Sequence, residues 1–197
     1  MIMRLLKAKS VRRFAKDESA LAALEFALIA PMMLFLLFGA VELTNGLNTA
    51  KRVENVSSSL ADVVSRDNAV TDEDLDDLWG AIDPLMWPEQ TTGFRARITS
   101  ISIEDADTAT VVWSEGHGGY SPRTEGAEVS LPDAMMVPGS SVIMAEVIYP
   151  YDPVLSLVFG EGGLHSMLNP GSANHGSFNI TKSAIRRSRL VDPIPRI

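Results

Sequence analysis

Cysteine is absent from all 197 residues, and histidine occurs only three times. The first absence excludes disulfide frameworks, Cys-ligated zinc, iron–sulfur clusters, thiol catalysis and a lipid-modified N-terminal cysteine. It leaves the redox compartment open. His117, His165 and His175 are isolated, which argues against a multi-histidine metal site and reads as three solvated loop side chains. There is no G-x-S-x-G nucleophile elbow, no P-loop and no H-E-x-x-H motif. Internal repeats are missing as well. The length suffices for one modest globular domain plus an accessory segment, not for two full domains.

Charge is segregated along the chain. Residues 1–20 hold six cations (Arg4, Lys7, Lys9, Arg12, Arg13, Lys16) and two anions, a net +4. Residues 20–41, ALAALEFALIAPMMLFLLFGAV, carry one charge, Glu25. Residues 42–181 hold 21 acids against six bases, a net −15, and the tail from Lys182 returns to +4. So acidic a body disfavours nucleic acid as a partner.

A membrane-spanning helix needs roughly 20 mostly apolar residues, and Ala20–Val41 supplies 22. A buried core helix is the competing reading, but no polar alternation interrupts Ala27–Val41. A cleaved secretory signal peptide fits less well, because its apolar core spans roughly 7–15 residues and ends in a small-x-small site. The flanking bases place residues 1–19 in the cytoplasm and the acidic remainder outside. Glu25 is costly within hydrocarbon. Either it is solvated at the cytoplasmic interface, or it pairs with a cation on a neighbouring subunit or at a newly made N-terminus. Pro31 lies inside the run and predicts a helix kink.

A basic leader, small residues, Glu-Phe and an apolar helix with an early proline together resemble the pilin-like membrane proteins. The stretch Ala22-Ala23-Leu24-Glu25-Phe26-Ala27-Leu28-Ile29-Ala30-Pro31 is similar to the TadE/TadG family of tight-adherence pilus assembly proteins. Glu42 after Gly39, the segment Ala145–Pro153 with Tyr149-Pro150-Tyr151, and the basic ending Ser183–Arg189 add to the likeness. The resemblance implies cleavage by a prepilin peptidase between Ala20 and Leu21, leaving Glu25 fifth; Ala20 stands where pilin-like substrates usually present glycine. It further implies that Glu25 of one subunit neutralises the new amine of Leu21 on another. Other pilin-like subunits, the major pilin, the inner-membrane pilus platform and the peptidase are the implied partners. No cofactor, metal or catalysis is implied.

Past the apolar run, Leu47, Ala50, Val53, Val56, Leu60, Val63 and Val64 recur at helical spacing and predict a continuing amphipathic helix to about residue 67. Its stripe packs either on the globular part or on another subunit. Thr71 with Asp74 predicts a capping box opening a second helix, which Pro84 and Pro88 end. Asp72-x-Asp74-x-Asp76 also echoes a calcium loop, but Asp77 and Asp83 occupy the positions of its glycine and glutamate. Asn55-Val56-Ser57 and Asn179-Ile180-Thr181 match the short glycosylation pattern.

From Arg95 the texture is β. The apolar face of Arg95–Ile103 changes midway, which suggests a bulge or a change of covering layer. Ala109, Val111 and Trp113 alternate on one face. Val142–Tyr149 reads as a central strand, and Ser177–Ile185, with Phe178, Ile180 and Ala184 on one face, closes the sheet. Glu115–Gly126 and Gly160–Gly176 read as long loops.

The expected fold is α+β: a long N-terminal transmembrane helix extending into a small antiparallel-sheet ectodomain. The expected divisions are a leader (1–20), a transmembrane helix (21–41), an extended amphipathic helix (42–67) and an acidic extracytoplasmic domain (68–197). The expected function is that of a minor pilin-like subunit, single-pass in the bacterial inner membrane, acting by helix packing. The alternative is a membrane-anchored periplasmic ligand-binding or sensor module.

Overall fold

The computed structural model of the chain describes residues 18–153 and 178–197, with side chains from residue 21 onward. Most of the basic leader, the expected loop 160–176, and His165 and His175 lie outside the described residues. Two compact units are separated at Thr44/Asn45. A single helix, α1 (Glu18–Val64), runs through that boundary and contains Pro31.

Unit Met1–Thr44 consists, in its described part, of the apolar stretch of α1. Unit Asn45–Ile197 holds the rest of α1, then α2 (Asp72–Gly80), α3 (Ile82–Met86), β1 (Arg95–Ile103), β2 (Ala109–His117), β3 (Ser141–Tyr151) and β4 (Phe178–Arg187). The strands form one antiparallel sheet ordered β2-β1-β3-β4, so β3 is central, as its nearly unbroken apolar run requires.

In this second unit α1 buries Val53, Val56, Ser57, Leu60, Ala61 and Val64, a stripe at i, i+3, i+4, i+7, i+8 and i+11. Ser57 fits within an apolar stripe because its hydroxyl donates to the Glu54 carbonyl at 2.9 Å. Leu47 and Val63, expected on the same stripe, are instead more than half exposed, because they fall at its flanks. The helix ends at Val64, where the amides of Arg66 and Asp67 turn back to the carbonyls of Val63 and Val64.

The stripe packs on one sheet face with Ala96, Ile98, Trp113, Ile143, Ala145 and Val147. Ile101, Ile103, Val142 and Met144 face the other way and are covered by Val129, Leu131 and Met136. Thus the midway change of face in β1 reflects two covering layers. A bulge is present too: Ser100 faces Trp113 and Ile101 faces Val111, so Val112 is the extra residue, in β2. This corrects the expected single face of Ala109, Val111 and Trp113. The extra residue turns Trp113 into the helix-side core, while Ala109 and Val111 stay in the other.

Four further corrections are local. Helix α2 ends at Gly80, and Pro84 lies within α3, near its start, where a missing N–H costs little. Glu115, Gly116 and His117 belong to β2 and pair with Ile98, Arg97 and Ala96. His117 is not a solvated loop residue: its ring stacks on Trp79, centroids 5.0 Å apart. Phe178, expected on the closing strand's inner face, is 53% exposed and leans on Tyr151.

The C-terminal segment straps the unit. Trp113 Nε1 donates to the Ile194 carbonyl at 2.8 Å, and Ile194 is fully buried. Val70 and Arg196 form a parallel bridge, and Arg196 pairs with Asp72 and Glu115. Arg189 reaches Asp62 on α1 at 2.7 Å, so part of the basic ending is used within the chain. Among the remaining bases, Lys182, Arg186 and Arg187 lie along β4, whose charge suits an edge strand.

The capping box at α2 is formed: Asp74 N donates to Thr71 Oγ1, and Thr71 N donates to Asp74 Oδ2 at 2.8 Å. The Thr71 hydroxyl, then its backbone N–H, hold the Asp74 carboxyl below the usual carboxylate range. A depressed folded-state pKa stabilises above the unfolded value, and the contribution fades as pH falls through the folded one. Thr71→Ala is expected to lower stability by about 1 kcal/mol at neutral pH. The difference from wild type should shrink in acid, as read by denaturant unfolding at both pH values. Asp105 likewise accepts from the amides of Asp107 and Thr108, closing the β1–β2 turn.

Candidate assembly surface

Leu21–Val41 is 21 residues of helix, or about 31 Å at 1.5 Å per residue, close to the ~30 Å of a bilayer's hydrocarbon. None of its most apolar stretch is buried. Leu24, Phe26, Leu28, Ile29, Met32, Phe35 and Leu37 are all at least half exposed. In water such a surface would be untenable; it requires lipid or other helices against it.

Glu25 is exposed within this surface, one helical turn from Leu21. The helix spacing puts Leu21, Leu28, Ile29 and Met32 on its face. Among the described residues no hydrogen bond or ion pair reaches Glu25. Pro31 has no N–H to offer the Ala27 carbonyl, so the backbone is weakened one turn past Glu25. At the outer end, Thr44 Oγ1 donates to the Ala40 carbonyl at 2.8 Å, satisfying its hydroxyl within the helix. The Ala20–Leu21 bond lies two residues inside the start of α1. First-turn amides have no intrahelical acceptor, so unwinding this end forfeits few hydrogen bonds.

Two of the acids at the start of α2 are engaged locally: Asp72 pairs with Arg196, and Asp74 completes the capping box. Among the described residues no group of three or more His, Asp or Glu side chains is arranged to hold a metal.

Residues 21–62 match the family model of TadE-like proteins. This segment is TadE-like. The match begins at Leu21 and includes both the exposed apolar stretch and most of the buried stripe of α1. TadE-like character implies involvement in tight-adherence pilus assembly and interaction with other pilus components. The one candidate span among the described residues fits a single-pass membrane anchor. No curated protein and no solved structure matches the chain.

Sequence reasoning did not anticipate the groove between α1, the α3–β1 connection and the end of β3, lined by Thr49, Glu89, Tyr149 and Asp152. Its residues are distant in sequence and carry no motif.

Proposed function

We propose that the chain is a minor pilin-like subunit of the tight-adherence pilus machine, working through lateral packing of its apolar helix. The observation that supports this most is a 21-residue exposed apolar surface interrupted by a single carboxylate, Glu25, near its N-terminal end. The basic leader stays in the cytoplasm, residues 21–41 span the inner membrane, and residues 42–197 stand outside it. A prepilin peptidase cuts between Ala20 and Leu21. The freed amine of Leu21 then lies at the depth of Glu25 on an adjacent pilin-like helix. Pairing the two offsets the cost of desolvating both, and because the charges must meet, it fixes the register of the helices. Pro31 bends the helix to fit the packed bundle.

The test is the N-terminus of the protein isolated from its native membrane. Sequencing or intact mass is expected to give Leu21 as the first residue. An intact leader removes the amine from the account and favours the anchored-module alternative.

A further inference from the structure

The groove at the end of the sheet lies wholly within the second unit and encloses about 590 Å³. Its walls come from α1 through Thr49, from the α3–β1 connection through Glu89 and Gln90, and from β3 through Tyr149, Tyr151 and Asp152. No lining residue is basic. Glu89 accepts one hydrogen bond, from Thr49 Oγ1 at 3.1 Å, and neither Glu89 nor Asp152 has a cationic partner among the described residues. Tyr149 is only 7% exposed, and its ring is held by the tilted Phe94 ring at 6.4 Å. Tyr149 lines the groove, and its hydroxyl nevertheless has no hydrogen-bond partner among the described residues. Burial first, then Glu89, then Asp152, push that phenol above its ordinary pKa, so it stays protonated beside the two carboxylates.

Two carboxylates without cationic partners among the described residues, a protonated phenol and aromatic walls define what this groove can bind. A calcium ion takes six to eight oxygens, and among the described residues no third acid lines the groove. Aromatic faces instead favour weakly hydrated organic cations. The volume is within the roughly 300–1,000 Å³ of small-molecule sites and exceeds what a bare ion needs.

We infer that this groove binds an organic cation, an ammonium or guanidinium group on a short aliphatic stem, between Glu89 and Asp152 against Tyr149 and Tyr151. The group belongs either to a free amine or to a lysine or arginine side chain of an assembly partner. The inference is independent of leader cleavage and of Glu25.

The full-length chain in detergent micelles, titrated calorimetrically with agmatine and with a blocked arginine tetrapeptide, tests it. Saturable binding of either probe is expected, weakened by salt, with 1-butanol giving no signal. Binding of agmatine points to a free amine; binding of the peptide alone points to a partner's side chain. Glu89→Gln retains an acceptor for Thr49 and should weaken binding about tenfold, the factor that 1.4 kcal/mol represents. Asp152→Asn, at an exposed position, should act in the same direction with an unchanged thermal midpoint. Absence of saturable binding by both probes, or unchanged affinity in both variants, overturns the assignment. So does a site that takes calcium but neither amine.

Discussion

Replacing Glu25 with alanine is expected to abolish association of the membrane helix with its pilin-like neighbours while leaving the ectodomain folded. The carboxylate is the single charge on an exposed apolar surface. Lipid tails are as apolar as leucine, so apolar contact alone gives helices little reason to prefer one another over lipid. A charge pair within hydrocarbon changes that balance, since removing one partner of a buried pair costs about 3–5 kcal/mol. Converted to an equilibrium constant, this is at least a hundredfold loss of association. Glu25→Gln keeps the shape and a hydrogen-bond acceptor and should fall between wild type and alanine. Co-isolation of pilus components from native membranes reads the association. Tryptophan fluorescence reads the fold, because Trp79, Trp87 and Trp113 all lie in the other unit. Normal co-isolation of the alanine variant would mean that the acid is simply wetted at the interface.

Leu60→Ala, on the same helix, is expected to do the reverse. Leu60 is 1% exposed in the core shared by α1, α2 and the sheet. Truncating a buried leucine costs about 2–5 kcal/mol, a large share of the 5–15 kcal/mol that holds a domain of ordinary stability. Chemical unfolding of the ectodomain should therefore shift strongly. Leu36→Ala, on the exposed apolar stretch, should leave that transition where it was. Equal effects of the two substitutions would deny that one continuous helix serves two solvents.

That division of labour was legible in the sequence. An unbroken apolar run and a stripe at three-and-four spacing are distinct patterns, and each leads to its own environment. The lone Glu25 stood out for the same reason: one charge among apolar neighbours is visible without any structure. The capping box at Thr71 is likewise a local pattern with a local cause. The faces of β2 were not legible, because Val112, the bulged residue, is as apolar as the residues on either side of it. A period of two read through a one-residue insertion puts Trp113 on the wrong face. Nor could the strap be foreseen. The last residues, Asp192–Ile197, have no periodicity, and the bond from Trp113 to the Ile194 carbonyl spans 81 residues. The acidic groove fails for a similar reason: Thr49, Glu89, Tyr149 and Asp152 meet only after α1, α3 and β3 are packed.

The absence of cysteine offers a clean background for the decisive measurement, a single-cysteine scan of residues 22–40 with cross-linking in native membranes. The account predicts cross-links to another pilin-like helix that peak on the Glu25 face, at Leu28, Ile29 and Met32, and vanish when Glu25 is alanine. Cross-links absent throughout, or spread evenly around the helix and indifferent to Glu25, would contradict it.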